Sequence, residues 1–156
     1  MSPLRSGCIA LLVLSTALAQ QPPANPAVEE VKAATLAFYA ALNRADAVAA
    51  DRYLLPGGDS FPRNGKALDP EAPTEQASLR NLSDLFAAGL RFHVTLRQLQ
   101  VKAYGDAAVA TFYTEGTTTA ADHSASEGTY RATYVWVKRG NDWKIAHFHL
   151  SPLARS

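Results

Sequence analysis

The chain has 156 residues, a formal net charge of +1, one cysteine and one methionine. This length suits a single domain with one hydrophobic core. The near-neutral charge excludes the basic surface of a nucleic-acid-binding protein, and a single cysteine excludes a disulfide framework or a four-cysteine zinc site.

The first 19 residues have the pattern of a secretory signal peptide. Arg5 supplies a positive charge, residues 8–18 form a short apolar run, and Ala17-Leu18-Ala19 is a typical cleavage site. The apolar run is shorter than the ~20 residues that a transmembrane helix needs. We therefore predict that residues 1–19 are removed and that the protein is exported, either periplasmic or extracellular, with no membrane contact after cleavage. Loss of Arg5 leaves 14 basic and 14 acidic residues.

A disordered spacer is predicted over residues 20–25, which are rich in proline, and a folded domain over residues 26–153. Asn25 and Pro26 are typical of the N-cap and first position of a helix. Apolar residues then recur at helical spacing, which predicts a long first helix that ends near Arg44.

Two further helices and a loop are predicted in the next part of the chain. Asp46 can cap a short second helix that ends near Tyr53. Residues 56–75 are rich in proline, glycine and aspartate, which predicts a loop that can include one short strand. Thr74 can cap a third helix that ends near Gly89.

From Arg91 onward the hydrophobic pattern changes to the alternation of β-strands. The phase of this alternation switches within the first strand, which predicts a β-bulge near Arg97 and Gln98. Four strands are predicted in total, at residues 92–103, 107–117, 130–139 and 143–150. Helices followed by a strand meander predict an α+β domain.

The last two strands resemble the final hairpin of SnoaL-like domains, which belong to the nuclear transport factor 2-like, ketosteroid-isomerase-like superfamily. The similar segments are RATYVWV at residues 131–137 and WKIAHFHLSP at residues 143–152, and the latter is most similar to the association domain of calcium/calmodulin-dependent protein kinase. The resemblance implies a cone-shaped fold, with three N-terminal helices on a curved antiparallel sheet, that is usually dimeric through the outer sheet face. It implies no single activity, because the superfamily includes isomerases, cyclases, dehydratases, oligomerisation hubs and transport factors.

The length of the last hairpin loop decides which side chains share a face, and two pairings are open. A two-residue loop pairs Arg139 with Asp142 and places Tyr134 opposite His147, whereas a three-residue loop places Tyr134 opposite Phe148. A Gly-Asn pair favours the two-residue loop. The resemblance favours the other phase, since the matching positions in the kinase domain line one cavity.

With the phase that the resemblance favours, the predicted cavity is aromatic and uncharged. Its predicted lining is Phe38, Tyr39, Leu42, Phe112, Thr114, Tyr134, Trp136, Phe148 and Leu150. The residues predicted to face outward, toward a second copy of the chain, are Trp143, Ile145, His147 and His149.

The chemistry of this cavity indicates a small apolar ligand. The positions that match Thr114, Tyr134 and Leu150 are arginines in the kinase association domain. This sequence lacks these three positive charges, so an anionic ligand is not expected. His93 and Tyr39 are candidate catalytic residues, since an imidazole and a phenol can exchange protons with a substrate. We therefore expect a ligand-binding homodimer, with a cofactor-independent isomerase, cyclase or dehydratase and an oligomerisation module as the alternatives. A metal or cofactor is not expected, because His147 and His149 lack an evident third ligand.

Overall fold

The computed structural model describes residues 25–61, 69–70, 74–120 and 122–153, so the predicted signal peptide and most of the predicted spacer lie outside the described residues. The elements are α1 (Pro26–Asn43), α2 (Ala47–Asp51), β1 (Leu54–Phe61), β2 (Asp69–Pro70), α3 (Glu75–Ala87), β3 (Arg91–Tyr104), β4 (Ala107–Thr119), β5 (Ala125–Arg139) and β6 (Asp142–Pro152). Among these described segments, no helix combines the length and the hydropathy that crossing a bilayer would require.

All three predicted helix N-caps are confirmed. The side chain of Asn25 accepts a hydrogen bond from the Ala27 N–H, and the side chains of Asp46 and Thr74 cap α2 and α3 in the same way. The helices are not grouped at the N-terminus as predicted, however. α1 is long, α2 has only 5 residues, and β1 and β2 lie between α2 and α3.

The sheet is curved and mixed, and not antiparallel throughout as predicted. Its strand order is β2-β1-β6-β5-β4-β3, and β1 runs parallel to β6. β1 occupies a segment predicted to be mainly loop, because its proline and two glycines hide the strand pattern. Gly58 allows the close approach, since a Cβ atom there would lie 2.8 Å from the backbone oxygen of Ala146.

The bulge predicted in β3 is confirmed. The β3–β4 register shifts between Arg97 and Gln100, and Gln98 has a φ of 54°. The extra residue changes which side chains face the helices, and this explains the switch of phase in the sequence. The strand therefore keeps apolar residues toward α1 on both sides of the bulge.

Asn43, the last residue of α1, holds the helix to the edge strand β3. Its Nδ2 atom donates to the backbone oxygen of Val94 at 2.8 Å, and the Val94 N–H donates to Asn43 Oδ1 at 3.1 Å. The amide side chain thus pairs with β3 as a neighbouring strand would, at an edge that otherwise exposes unpaired backbone groups. These two hydrogen bonds fix the position of β3 relative to the C-terminal end of α1.

A second contact joins the first turns of α1 to the β5–β6 hairpin. The indole N–H of Trp143 donates to Glu30 Oε2 at 2.7 Å, and Lys138 Nζ donates to the same oxygen at 3.0 Å. These two hydrogen bonds favour the ionised carboxylate and lower the pKa of Glu30 below its ordinary value.

The lowered pKa of Glu30 predicts a pH-dependent contribution to stability. A carboxyl group with a folded-state pKa below its unfolded value of about 4.3 stabilises the fold above that pH and loses this effect as the pH falls through the folded pKa. We expect the variant Glu30→Gln to melt below the wild type at pH 7 and to approach it at pH 3, as measured by circular dichroism. A melting difference that stays the same at both pH values would contradict this role.

Candidate functional site

A cavity of about 260 Å³ lies between α1, α3 and the inner face of the sheet, which is the face that packs against α1. The described lining residues are Phe38, Tyr39 and Leu42 of α1, Leu54 of β1, Ser78, Asn81, Leu82 and Leu85 of α3, Leu90 just before β3, Phe92 and Val94 of β3, Thr114, Gly116 and Thr118 of β4, Gly128, Tyr130 and Tyr134 of β5, and Phe148 and Leu150 of β6. None of these described lining residues carries a charged side chain or a histidine. The wall is therefore aromatic and aliphatic, with a few hydroxyl groups and one amide.

Seven of the nine predicted lining residues line the cavity, and the other two do not. Phe112 faces inward but is 4% exposed, and its ring packs against those of Tyr39 and Tyr134, with centroids 5.6 and 5.1 Å apart. Trp136 is fully buried, with the ring of Tyr53 edge-on to it at 6.2 Å. Both belong to the core that supports the cavity wall.

Each of the two pairings considered for the last hairpin is correct over part of its length. The loop has two residues and pairs Arg139 with Asp142, as the Gly-Asn pair favours. Ala146 then has no partner in the β5–β6 register, and beyond this bulge Tyr134 pairs with Phe148, as the resemblance favours. One bulge therefore reverses the facing of every later residue of β6.

Because of this bulge, only two of the four residues of β6 that were predicted to face outward do so. Trp143 and Ile145 precede it and are buried on the inner side, with exposures of 6% and 3%, where Trp143 reaches α1. Phe148 follows it and lines the cavity, so its neighbours His147 and His149 face outward as predicted.

The outward histidines lie beside β1. His147 Nδ1 is hydrogen-bonded to the carboxylate of Asp59, and the ring of Phe61 lies 5.8 Å from the rings of both His147 and His149. Within the described residues, no three His, Cys, Asp or Glu side chains come together as a metal site would require.

The predicted pairing of His93 with Tyr39 is wrong. Phe92 and Val94 line the cavity, so His93, which lies between them on β3, is exposed on the opposite face of the sheet. The hydroxyl of Tyr39 instead lies 2.8 Å from the hydroxyl of Tyr134, and this pair is buried. The polar chemistry of the cavity thus comes from hydroxyl groups.

The sequence interpretation missed the contributions of α3 and of the end of β4. The apolar face of α3 supplies Leu82, whose spacing indicated burial without indicating a cavity. Once Thr114 faces inward, strand alternation also brings Gly116 and Thr118 to the wall, so this part was open to prediction. Gly128 was missed because its strand was predicted to begin only at residue 130, whereas Tyr130 shares the alternation of Tyr134 and was also open to prediction.

The profile of the SnoaL-like domain family matches residues 31–155. The chain belongs to the SnoaL-like family. The resemblance found in its last two strands is therefore confirmed. No curated protein matches the sequence at a significant level.

Solved structures of several bacterial proteins share the fold of this SnoaL-like domain. A ketosteroid isomerase-like protein from Erwinia carotovora atroseptica has 21% identity and a TM-score of 0.64, over 84% of this chain and 99% of that chain. A nuclear transport factor 2-like protein from Cytophaga hutchinsonii has 14% identity and a TM-score of 0.68, over 83% and 100%. A protein from Xanthomonas campestris, provisionally assigned as a calcium/calmodulin-dependent protein kinase II association domain, has 20% identity and a TM-score of 0.61, over 93% and 100%. These similarities establish the fold. They do not establish the activity, which has to be inferred from the residues of the cavity.

Proposed function

We propose that this SnoaL-like domain binds a small, uncharged and largely apolar molecule in the cavity between α1, α3 and the sheet. The observation that carries the proposal is the wall itself, which is apolar with a few hydroxyl groups and has no charge among its described residues. Ligand sites typically have this composition, with a few polar groups that orient the ligand. The volume of about 260 Å³ lies just below the ~300–1,000 Å³ of most ligand sites, which indicates a compact ligand.

The aromatic part of the wall is held in place before any ligand binds. The ring of Tyr134 contacts those of Phe38, Tyr39 and Phe148, with centroids between 5.3 and 6.2 Å apart. The hydroxyls of Tyr39 and Tyr134 are also hydrogen-bonded to each other. Because these side chains are already ordered, little conformational entropy is lost when a ligand packs against them.

We favour ligand binding over the isomerase, cyclase or dehydratase alternative because the described lining residues include no carboxylate and no imidazole. Proton transfer at a carbon atom needs a general base, most often a carboxylate or an imidazole, within hydrogen-bond reach of the substrate. The described lining residues supply neither group, and His93 lies on the opposite face. The hydroxyls of Tyr39 and Tyr134 are hydrogen-bonded to each other, and such groups can orient a carbonyl or hydroxyl ligand.

We further propose that the protein is exported and forms a homodimer through the outer face of the sheet. Residues 1–19 support export, and Phe61, which is 42% exposed between two outward histidines, supports a contact on this face. Secreted protein that still begins at Met1 would contradict cleavage of a signal peptide. A light-scattering mass of one chain at high concentration would contradict the dimer.

The variant Leu82→Trp tests the proposed site. Leu82 lines the cavity from α3, and an indole at this position would occupy the space that the ligand needs. With 2-naphthol as a compact uncharged probe, we expect calorimetry to show one molecule bound per wild-type chain and at least tenfold weaker binding by the variant, or about 1.4 kcal/mol.

Leu36→Trp is the matched control for this experiment. Leu36 is 54% exposed on α1 and does not line the cavity, so the same substitution there leaves the affinity within about twofold. Equal affinity of the Leu82→Trp and wild-type proteins would overturn the site. A wild-type protein that does not bind 2-naphthol would overturn the proposed function for ligands of this class.

A further inference from the structure

The part of the cavity wall that β4 and the start of β5 supply contains hydroxyl groups and two glycines. Thr114, Gly116 and Thr118 occupy successive inward positions of β4, and Gly128 of β5 is paired with Gly116. The ring of Tyr130 leans over Gly128, since a Cβ atom there would lie 3.2 Å from Tyr130 Cε2 and 3.4 Å from its hydroxyl oxygen. On β4 and at Gly128 the wall therefore carries small and polar groups, beside Phe92 and Val94 of the neighbouring strand β3.

Thr118 is the residue of this wall whose hydrogen bonding is incomplete. The residue is 2% exposed and lines the cavity, and its Oγ1 atom is buried with no hydrogen-bond partner in the described part of the chain. Buried hydroxyl groups are nearly always hydrogen-bonded, because leaving one without a partner is costly. Rotation about the Cα–Cβ bond exchanges the positions of the hydroxyl and the methyl group, so Oγ1 can turn toward a molecule in the cavity.

The hydroxyl group of Thr118 and the uncharged wall around it together indicate a neutral oxygen group on the ligand. A threonine hydroxyl can donate to a carbonyl oxygen and can both donate to and accept from a hydroxyl. The described wall offers no cation to balance a carboxylate or phosphate, and an unpaired charge in an apolar cavity is strongly unfavourable. A neutral oxygen group satisfies Thr118 without introducing a charge.

We propose that the ligand of this cavity carries a hydroxyl or carbonyl oxygen at the end that lies against Thr118. The inference rests on the proposed function, because it assigns a chemical group to the molecule that the same cavity binds. It narrows the ligand class from apolar compounds in general to uncharged alcohols, phenols and ketones whose other end is apolar and packs against the aromatic wall.

A comparison of 2-naphthol with naphthalene tests this inference, because the two probes differ only in the hydroxyl group. We expect the wild-type protein to bind 2-naphthol about fivefold more tightly, the effect of one neutral hydrogen bond. The near-isosteric variant Thr118→Val should remove this preference and leave naphthalene binding within about twofold. Thr118→Ser keeps a hydroxyl and should retain the preference.

The remaining results of this comparison distinguish failure of the inference from failure of the proposed function. Equal binding of both probes by the wild type, or a preference for 2-naphthol that persists in Thr118→Val, would overturn the inference and leave the proposed function standing. Failure of both probes to bind would overturn the proposed function together with the inference. Because the side chain of Thr118 has no described hydrogen bond to lose, Thr118→Val should fold, and an unchanged melting temperature provides the check.

Discussion

Replacement of Gly116 by alanine is expected to destabilise the protein by more than about 4 kcal/mol. Gly116 has a φ of 141°, and a Cβ atom at this position would lie 2.1 Å from the backbone oxygen of His93 and 3.0 Å from Val94 Cα. These are backbone atoms of β3, which cannot rotate out of the way as a side chain can. Asn43 holds β3 in this position through its two hydrogen bonds to the backbone of Val94, so the strand cannot easily move away from Gly116.

Gly128→Ala is the matched control for Gly116→Ala, because the two glycines are paired across β4 and β5. A Cβ atom on Gly128 would meet the ring of Tyr130 at 3.2 Å, and this side chain can shift by a small rotation. We expect the control to cost less than about 1 kcal/mol in urea denaturation followed by circular dichroism. Similar stabilities of the two variants would contradict the close approach of β3 to Gly116.

Replacement of Trp136 by alanine is expected to cost about 3–5 kcal/mol, because it removes a large side chain from a closely packed interior. Trp136 is fully buried, is paired with Ile145 on β6 and contacts the ring of Tyr53. It links the residues that follow α2 to the centre of the sheet, and it lies outside the cavity wall. Urea denaturation followed by circular dichroism measures the loss.

Trp136→Phe keeps an aromatic ring at this position and removes the indole N–H together with the second ring. The indole Nε1 atom is buried without a hydrogen-bond partner among the described residues, so phenylalanine removes no described hydrogen bond. We expect a cost of roughly 1 kcal/mol, because the smaller ring leaves only a small space, and unchanged binding of 2-naphthol. A loss as large as that of Trp136→Ala would contradict the view that a six-membered aromatic ring preserves most of the packing at this position.

The β6 strand shows how far the sequence can predict a site of this kind. Gly140 and Asn141 correctly indicated a two-residue loop, and the resemblance correctly indicated that Tyr134 pairs with Phe148. Both hold only because of the bulge at Ala146, which lies opposite Gly58 of the parallel strand β1. No local pattern marks this bulge, because it lies where β6 meets β1, a strand nearly 90 residues away whose segment was predicted to be mainly loop.

His93 shows a different limit, because the strand pattern of the sequence itself excludes the pairing that its side-chain chemistry suggests. The alternation that places Phe92 and Val94 inward also places His93 outward, so its pairing with Tyr39 contradicted the predicted strand. The chemistry of histidine and tyrosine favours such a pair, but strand alternation places the two side chains on opposite sides of the sheet. The contact between Tyr39 and Tyr134, by contrast, joins residues 95 positions apart and depends on how α1 lies across the sheet.

The sequence does not reveal which segment Asn43 and Gly116 contact. Asn43 is an ordinary residue for a helix end, and its pairing with Val94 depends on the position of β3. Gly116 could have been flagged, because glycine inside a strand often marks a bulge or a close approach of backbone. The identity of the approaching segment, β3, comes only from the three-dimensional structure.

A crystal structure of the protein with 2-naphthol tests the central claim most directly, because it shows where the molecule binds and which groups it contacts. We predict one molecule between α1, α3 and the sheet, with its ring system against Tyr134 and Phe148 and its oxygen within about 3 Å of Thr118 Oγ1. Binding only on the outer face beside Phe61, or a cavity filled by protein side chains with no space for a ligand, would contradict the account.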